Sequence, residues 1–462
     1  MSDSDSRGMR AFLDEVLDGL AVDYADIRVE ESERSSVLYR GERLDSIGRS
    51  FERGGCLRVF DRGNWVVATF NAIDESLVGL AEDLARQAEE LPPRESAPAR
   101  LGPHEETVRL DPAQDPRTVS LADKRMLIHH YNSILTSTPG IVSTVAQYRD
   151  EHRFTVFLSS EGRFLDQERA DCGFHVRAVA RDGSNIQDYG DGFGKPQGFA
   201  ALLHREALVE RVGKVALDLL RAEPVAAGRY TVIVDPLLAA VFCHEAFGHL
   251  AEADHVVDNE RLREMMRPGT PFGVEELSIV DDATMPGERG SYRYDDEGVP
   301  AGRTELIRQG RLVGLLHDRS SAGQMAAPPT GNGRALSCHF PPVVRMSNTF
   351  IEPREADVDE MLDKTERGLY ICGSRGGMTE LESFTFSAQY AWLVESGRKR
   401  RLVRDVTLAG NVFETMSHIT DIGDDLVLFG GLGGCGKAGQ GPLPVGLGAP
   451  HLRISDVVVG GR

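Results

Sequence analysis

YTVIVDPLLAAVFCHEAFGHLAEAD, residues 230–254, opens as a strand and continues as a helix. Tyr230 to Val234 is apolar and rich in β-branched residues, the composition of a buried strand. Asp235 can accept a bond from the free N–H groups of a helix start. Pro236, which has no N–H, loses nothing at the first helical position. Leu237 to Phe247 then predicts a buried helix, with His244 and Glu245 in its last turn and His249 just beyond. Burying two imidazoles and a carboxylate on so apolar a helix is costly unless they have partners. A metal ion is an effective partner, because neutral imidazole is a standard zinc ligand.

The spacing is HExxxH, one residue longer than the zinc-protease HExxH that sets two histidines on one helical face. Five residues of regular helix turn ~500°, which would leave His244 and His249 pointing ~140° apart. They converge only if the helix ends or bulges between them, and Gly248 is a cheap place for such a break. Glu245, beside the first histidine, is the candidate general base that takes a proton from a metal-bound water. The competing reading is a plain helix pair of Glu245 and His249 at i,i+4. Two histidines also leave a metal short of a third protein ligand.

Working outward toward the C-terminus, residues 429–450 read FGGLGGCGKAGQGPLPVGLGAP. Glycine this dense means repeated positive φ or close approach of another chain segment. Cys435 sits between Gly434 and Gly436, with Lys437 near enough to favour a thiolate. From the residues alone it is a third zinc ligand, a catalytic nucleophile or an ordinary loop thiol.

Working outward toward the N-terminus, helical spacing at Arg10–Leu20 and Ser76–Glu90 alternates with strand-like runs at 25–30, 36–39, 55–60 and 64–70. A Pro-, Glu- and Arg-rich stretch at 92–116 predicts a loop and a subdomain break. Beyond it, Leu121–Leu135 and Arg205–Arg221 read as helices, and 140–149, 152–159 and 174–181 as strands. Texture changes at Ala222–Gly228, after which glycine is dense and strands are short. The expectation is an α+β chain: an α/β N-terminal region, 1–222, and a β-rich C-terminal domain, 223–462, that carries the metal-binding helix.

The 462 residues carry 52 Lys plus Arg against 72 Asp plus Glu, a formal net charge of −20, which argues against a nucleic-acid binder. No apolar run is long enough to span a bilayer, and the polar Met1–Arg7 start lacks the apolar core of a secretory signal. Six cysteines without CxxC spacing are too sparse for a disulfide framework, so a cytoplasmic protein with reduced thiols is expected.

The segments HEAFGHLAEAD, DDEGVP (Asp295–Pro300), TGNGR (Thr330–Arg334), RMSNTFI (Arg345–Ile351), FTFSAQYAWLVESGR, GCGKAGQGPLPVGLGAP and LRISDVVVGG, in this order, resemble the TldD/PmbA family of metallopeptidases. The likeness covers essentially all of the C-terminal half. That family pairs a catalytic TldD-type subunit with a TldE (PmbA) subunit lacking the metal motif, and the intact HExxxH resembles the catalytic type. Carried over by position, the resemblance implies that His244, His249 and Cys435 bind Zn2+ and that Glu245 activates the water. It further implies a metallopeptidase acting on short or unfolded peptides, and a dimer with a TldE/PmbA-like subunit or with a second copy of itself. Arg375–Met378 departs from the family pattern. This motivates an alternative substrate, an amide in a modified peptide or a small secondary metabolite. A non-catalytic partner subunit is the third reading. Cys243 reads as a packing residue, since its position on the helix points ~100° from His244. Asp295–Glu297 reads as an acidic surface turn, and Glu252 and Asp254 as candidate partners for the imidazole N–H groups. His255, His339 and His418 have no companion at ligand spacing.

Overall fold

The computed structural model describes residues 3–380 and 382–460. Met1 and Ser2 of the polar start and Gly461 of the LRISDVVVGG motif lie outside them. The chain is mixed α+β, as its texture predicts.

The N-terminal half is one seven-stranded sheet flanked by two helix pairs. In chain order it runs α1 (Asp3–Leu17), β1 (Tyr24–Arg40), β2 (Arg43–Asp61), β3 (Asn64–Phe70), α2 (Ser76–Glu90), β4 (His104–Val108), α3 (Leu121–Thr136), β5 (Ile141–Ser159), β6 (Arg163–Asp182), β7 (Asn185–Lys195) and α4 (Glu206–Leu219). Strand order is β3-β2-β1-β5-β6-β4, with β7 also pairing β6. Four strands are far longer than their sequence pattern suggests. The polar stretch Glu31–Ser35 reads as a break, yet β1 runs straight through it, paired with β2 on one side and β5 on the other. Cross-strand charge pairing explains why: Arg34 reaches Glu52 on β2 at 3.1 Å and Glu151 on β5 at 2.9 Å. These long strands serve two cores. Leu13, Leu77, Ala81 and Leu84 of α1 and α2 pack on Ile27, Val59 and Val156. Ile128, Tyr131 and Val212 of α3 and α4 pack on Val37, Tyr148 and Phe174, further along the same strands. The stretch 92–116 is not simply a loop: it supplies β4, which runs parallel to β6.

After the short β8 (Glu223–Pro224), β9 (Gly228–Val234) enters an eight-stranded sheet. Within it, β9, Leu452–Gly460, Thr407–Asn411, Ser383–Glu395 and Arg367–Glu380 pair in a closed ring. A six-stranded sheet lies alongside, its members including Ile279–Asp282, Asn348–Ile351 and Gly446–Ala449. Helix α5 (Pro236–Cys243) is wedged in this half. Phe242 stacks edge-on against Phe384 and Phe386, and Phe247 against Phe272.

The acidic run Asp295–Glu297 is not a surface turn. All three side chains are buried, at 1%, 4% and 1% exposure. Asp295 accepts from the backbone N–H groups of Glu297, Val299 and Gly333, and Asp296 from that of Ala335. Glu297 accepts at 2.6 Å from Arg58 of β2, which also holds Asp26. The run is buried because it ties the C-terminal half to the N-terminal sheet through a charge-assisted pair.

Candidate metal centre

Local chemistry builds α5 as its sequence predicts. Asp235 accepts from Leu238 N at 2.9 Å, and Pro236 occupies the first helical position. Regular helix lasts eight residues, to Cys243. His244–Gly248 then widens into a π-helical turn, and His249–Ala251 tightens into a 3₁₀ turn. This is the irregularity the HExxxH spacing demands. Gly248 is needed for a different reason from the one expected. Its backbone is ordinary right-handed helix, φ −54°, so no positive φ is involved. A Cβ there would lie 2.1 Å from Met346 Sδ, so glycine provides close approach rather than conformational freedom.

The glycine-rich segment crosses the N-terminal sheet before it reaches this helix. A Cβ at Gly430 would lie 2.3 Å from the carbonyl oxygen of Gly194 on β7. Cys435 then opens a short hairpin, Cys435–Lys437 with Gln440–Leu443. Arg345, fully buried, fixes that hairpin by donating to the carbonyls of Cys435 at 2.6 Å and Gln440 at 3.1 Å.

His244, His249 and Cys435 converge, each offering a donor atom within 4.8 Å of the others. Cys435 Sγ lies 3.3 Å from His249 Nε2, and the two imidazole rings stand at 82° with centroids 5.2 Å apart. Glu252, fully buried, contacts His249 Nδ1 at 3.0 Å. When His249 is neutral, that bond favours the tautomer with the proton on Nδ1, which presents Nε2 as a metal donor. Asp254 does not share this role. It pairs with Lys437 at 2.6 Å, and Lys437 also reaches Glu252 at 3.0 Å. Glu245 Oε2 is 4.0 Å from His249 Nε2, and its side chain is 33% exposed, so solvent reaches the carboxylate.

The electrostatics single out one cysteine. Burial alone would push the Cys435 thiol up, but hydrogen bonds from His244 and His249 overcome it and lower it to about 6. Burial would lower His249, while its bonds to Cys435 and Glu252 raise it to about 10. The histidines, not Lys437, are thus the partners that favour the thiolate. Cys243 is fully buried and burial raises its thiol, in keeping with packing.

The residues fit a metal. Two imidazoles and a thiolate are a soft N/S donor set, and His244 Nδ1 is buried with no hydrogen-bond partner.

Comparison with known proteins extends this geometry. Residues 227–461 match the PmbA/TldA metallopeptidase C-terminal domain, 25–90 match its domain 1 and 114–220 its central domain. The chain belongs to the PmbA/TldD metallopeptidase family. A metalloprotease of Synechocystis sp. is 41% identical over 442 residues, covering 95% of each chain. A zinc metalloprotease TldD homolog of Saccharolobus solfataricus is 27% identical over 450 residues, covering 96% of this chain and 97% of its own. TldE from Thermococcus kodakarensis shares the fold, with a TM-score of 0.76 at 18% identity over 99% of both chains.

Within this PmbA/TldD chain, two residues at the centre were legible only as the start of the RMSNTFI motif, with no sign of what they touch. Arg345 and Met346 lie about a hundred positions from both Gly248 and Cys435, and only the fold brings them together. The departing segment Arg375–Met378 lies on an exposed hairpin arm, where Arg375 contacts Asp188 at 3.2 Å and Met378 is 71% exposed. Among the described residues, no helix is long and apolar enough to cross a membrane.

Proposed function

We propose that this chain is a zinc-dependent amide hydrolase of the HExxxH type, acting on short or unfolded peptides. One observation carries the reading. Cys435 meets the two motif histidines although the nearer in sequence, His249, is 186 residues away, so a three-donor set stands beside the Glu245 carboxylate. His244, His249 and Cys435 would hold the ion, with Glu252 orienting His249. Zinc in that position would act as a Lewis acid toward the scissile carbonyl. Glu245 accepts the proton of the attacking water and delivers it to the leaving nitrogen as the C–N bond breaks. Burial of His244 and Cys435 excludes solvent from one side, while the partly exposed His249 and Glu245 mark the side from which a peptide enters.

Glu245→Gln tests the assignment. Turnover is expected to fall by about 10²- to 10⁴-fold, with zinc content unchanged by elemental analysis. Retained turnover sinks the role of Glu245. A well-folded wild type that takes up no zinc would favour the non-catalytic subunit instead.

A second substrate class, an amide in a modified peptide or small metabolite, is supported by the exposed Arg375–Met378 departure. Cleavage profiling of unfolded peptides against small amides separates the two. The fold shared with TldE supports a heterodimer with a TldE/PmbA-like subunit, and co-purification against self-association tests it. The division at 222–223 into an N-terminal region and a metallopeptidase domain is part of the same reading. All six cysteines are free, which supports a cytoplasmic setting.

A further inference from the structure

Away from the centre just described, a second set of soft and hard donors meets at the junction of the two halves. Glu52 lies on β2, whereas Cys338 and His339 lie in the turn between the short strands Gly333–Arg334 and Val343–Val344. One donor atom of each lies within 4.8 Å of the other two. We propose that Glu52, Cys338 and His339 form a second metal site, structural in role, that clips the N-terminal sheet to the C-terminal half.

One pair of donors already has the spacing that a tetrahedral site needs, and Cys338 lies within 4.8 Å of both. Zinc–sulfur and zinc–nitrogen bonds of ~2.3 and ~2.0 Å in a tetrahedral site place donors roughly 3.5 Å apart, and His339 Nε2 already sits 3.1 Å from Glu52 Oε1. The site is also pre-ordered from both sides. Arg28 of β1 donates to the carbonyls of Ser337 and Phe340, at 3.0 and 2.9 Å, and so brackets Cys338 and His339. Arg34 holds the other oxygen of Glu52 at 3.1 Å, leaving Oε1 for His339. Gly54 lets the turn approach the strand: a Cβ there would lie 3.3 Å from Cys338 Sγ.

One thiolate and one carboxylate would balance a divalent ion, which must displace the thiol proton that burial and the nearby Glu30 and Glu52 hold on Cys338. A plain His339–Glu52 ion pair accounts for two of the groups and gives no reason for the cysteine to share their reach. The fourth position faces the rim, where His339 and Glu52 side chains are 37% and 32% exposed, so a water can complete the shell.

The experiment uses full-length protein with the first centre disabled, Cys435→Ser with His244→Ala, titrated with cobalt(II). A thiolate-to-cobalt charge-transfer band is expected in this protein, and it should disappear when Cys338→Ser is added. Zinc should raise the melting temperature of the first protein and not of the second. His339→Ala and Glu52→Gln, at half-exposed positions, give the same readouts without disturbing a buried side chain. The absence of the band, or its persistence after Cys338→Ser, overturns the proposal. Neither result depends on whether His244, His249 and Cys435 bind zinc or whether the chain is a hydrolase.

Discussion

In the N-terminal half, four strands of 17 to 20 residues run side by side, and none carries His244, His249 or Cys435. In the C-terminal half the stretch that carries the candidate donors holds regular helix for eight residues only, then widens at His244 and tightens at His249. A long ladder satisfies its own backbone and sends successive side chains to opposite faces, so it can supply a single donor such as Glu52 but not neighbouring donors aimed at one point. Donors that must meet at one point need an interruption of regular geometry, and an interruption needs outside support. Here that support is Met346 against Gly248, Glu252 on His249, and Arg345 on the Cys435 carbonyl.

The strongest way to break this contrast is Gly248→Val. The new side chain meets Met346 Sδ, and overpacking of ~1–3 kcal/mol falls on the turn that turns His244 and His249 toward each other. Metal affinity is expected to drop by roughly 100-fold at the upper end of that cost, measured by competition with a chelating dye. Combining Gly248→Ala with Met346→Ala should restore most of it. No loss in Gly248→Val would mean that the two histidines do not depend on the widened turn.

Glu252→Gln should act next. It keeps the shape of the side chain but weakens its hold on His249 Nδ1, and metal affinity is expected to fall by roughly 10- to 100-fold. Unchanged affinity would remove Glu252 from the support of the site.

Acid tests the C-terminal half more gently. Burial lowers His317 from 6.5 to about 4, so the unfolded chain binds its proton at higher pH than the folded one. The resulting stability is full above pH 6.5 and is lost as pH falls from there toward about 4. Urea midpoints across that window should decline in the wild type and decline less in His317→Asn. Equal slopes would show that another group carries the acid sensitivity.

The smallest effect belongs to the regular half. Phe51 on β2 is 65% exposed, and Phe51→Ser is expected to change stability by about 0.5 kcal/mol or less and metal content not at all. A large change would mean that this stretch of β2 is covered in the working protein.

Much of the candidate centre is legible in the sequence. The Asp235-Pro236 start, the apolar helix and the HExxxH spacing are local features. A five-residue spacing, one longer than the i,i+4 that keeps two side chains on one helical face, is enough to demand an irregular turn. The strand lengths were not legible, because Glu31–Ser35 look like loop residues until Glu151 lies opposite Arg34 and Glu52 diagonally across from it. The Asp295–Glu297 run looked solvent-facing for the same reason: its partner, Arg58, lies 239 residues away. His339 looked companionless because its neighbours in space include a strand residue nearly three hundred positions earlier.

Sequence by itself determined which residues have the chemistry, because donor type, helix caps and periodicity are properties of a few adjacent positions. It also carried the family resemblance, since ordered motifs survive where overall identity does not. The meeting of Cys435 with the two histidines was implied by the resemblance and not by the residues themselves, and tertiary structure alone decided that Met346 meets Gly248 and Glu52 meets Cys338 and His339. The physical reason is that the energy of such contacts depends on distances of a few ångströms between segments whose separation along the chain constrains them hardly at all.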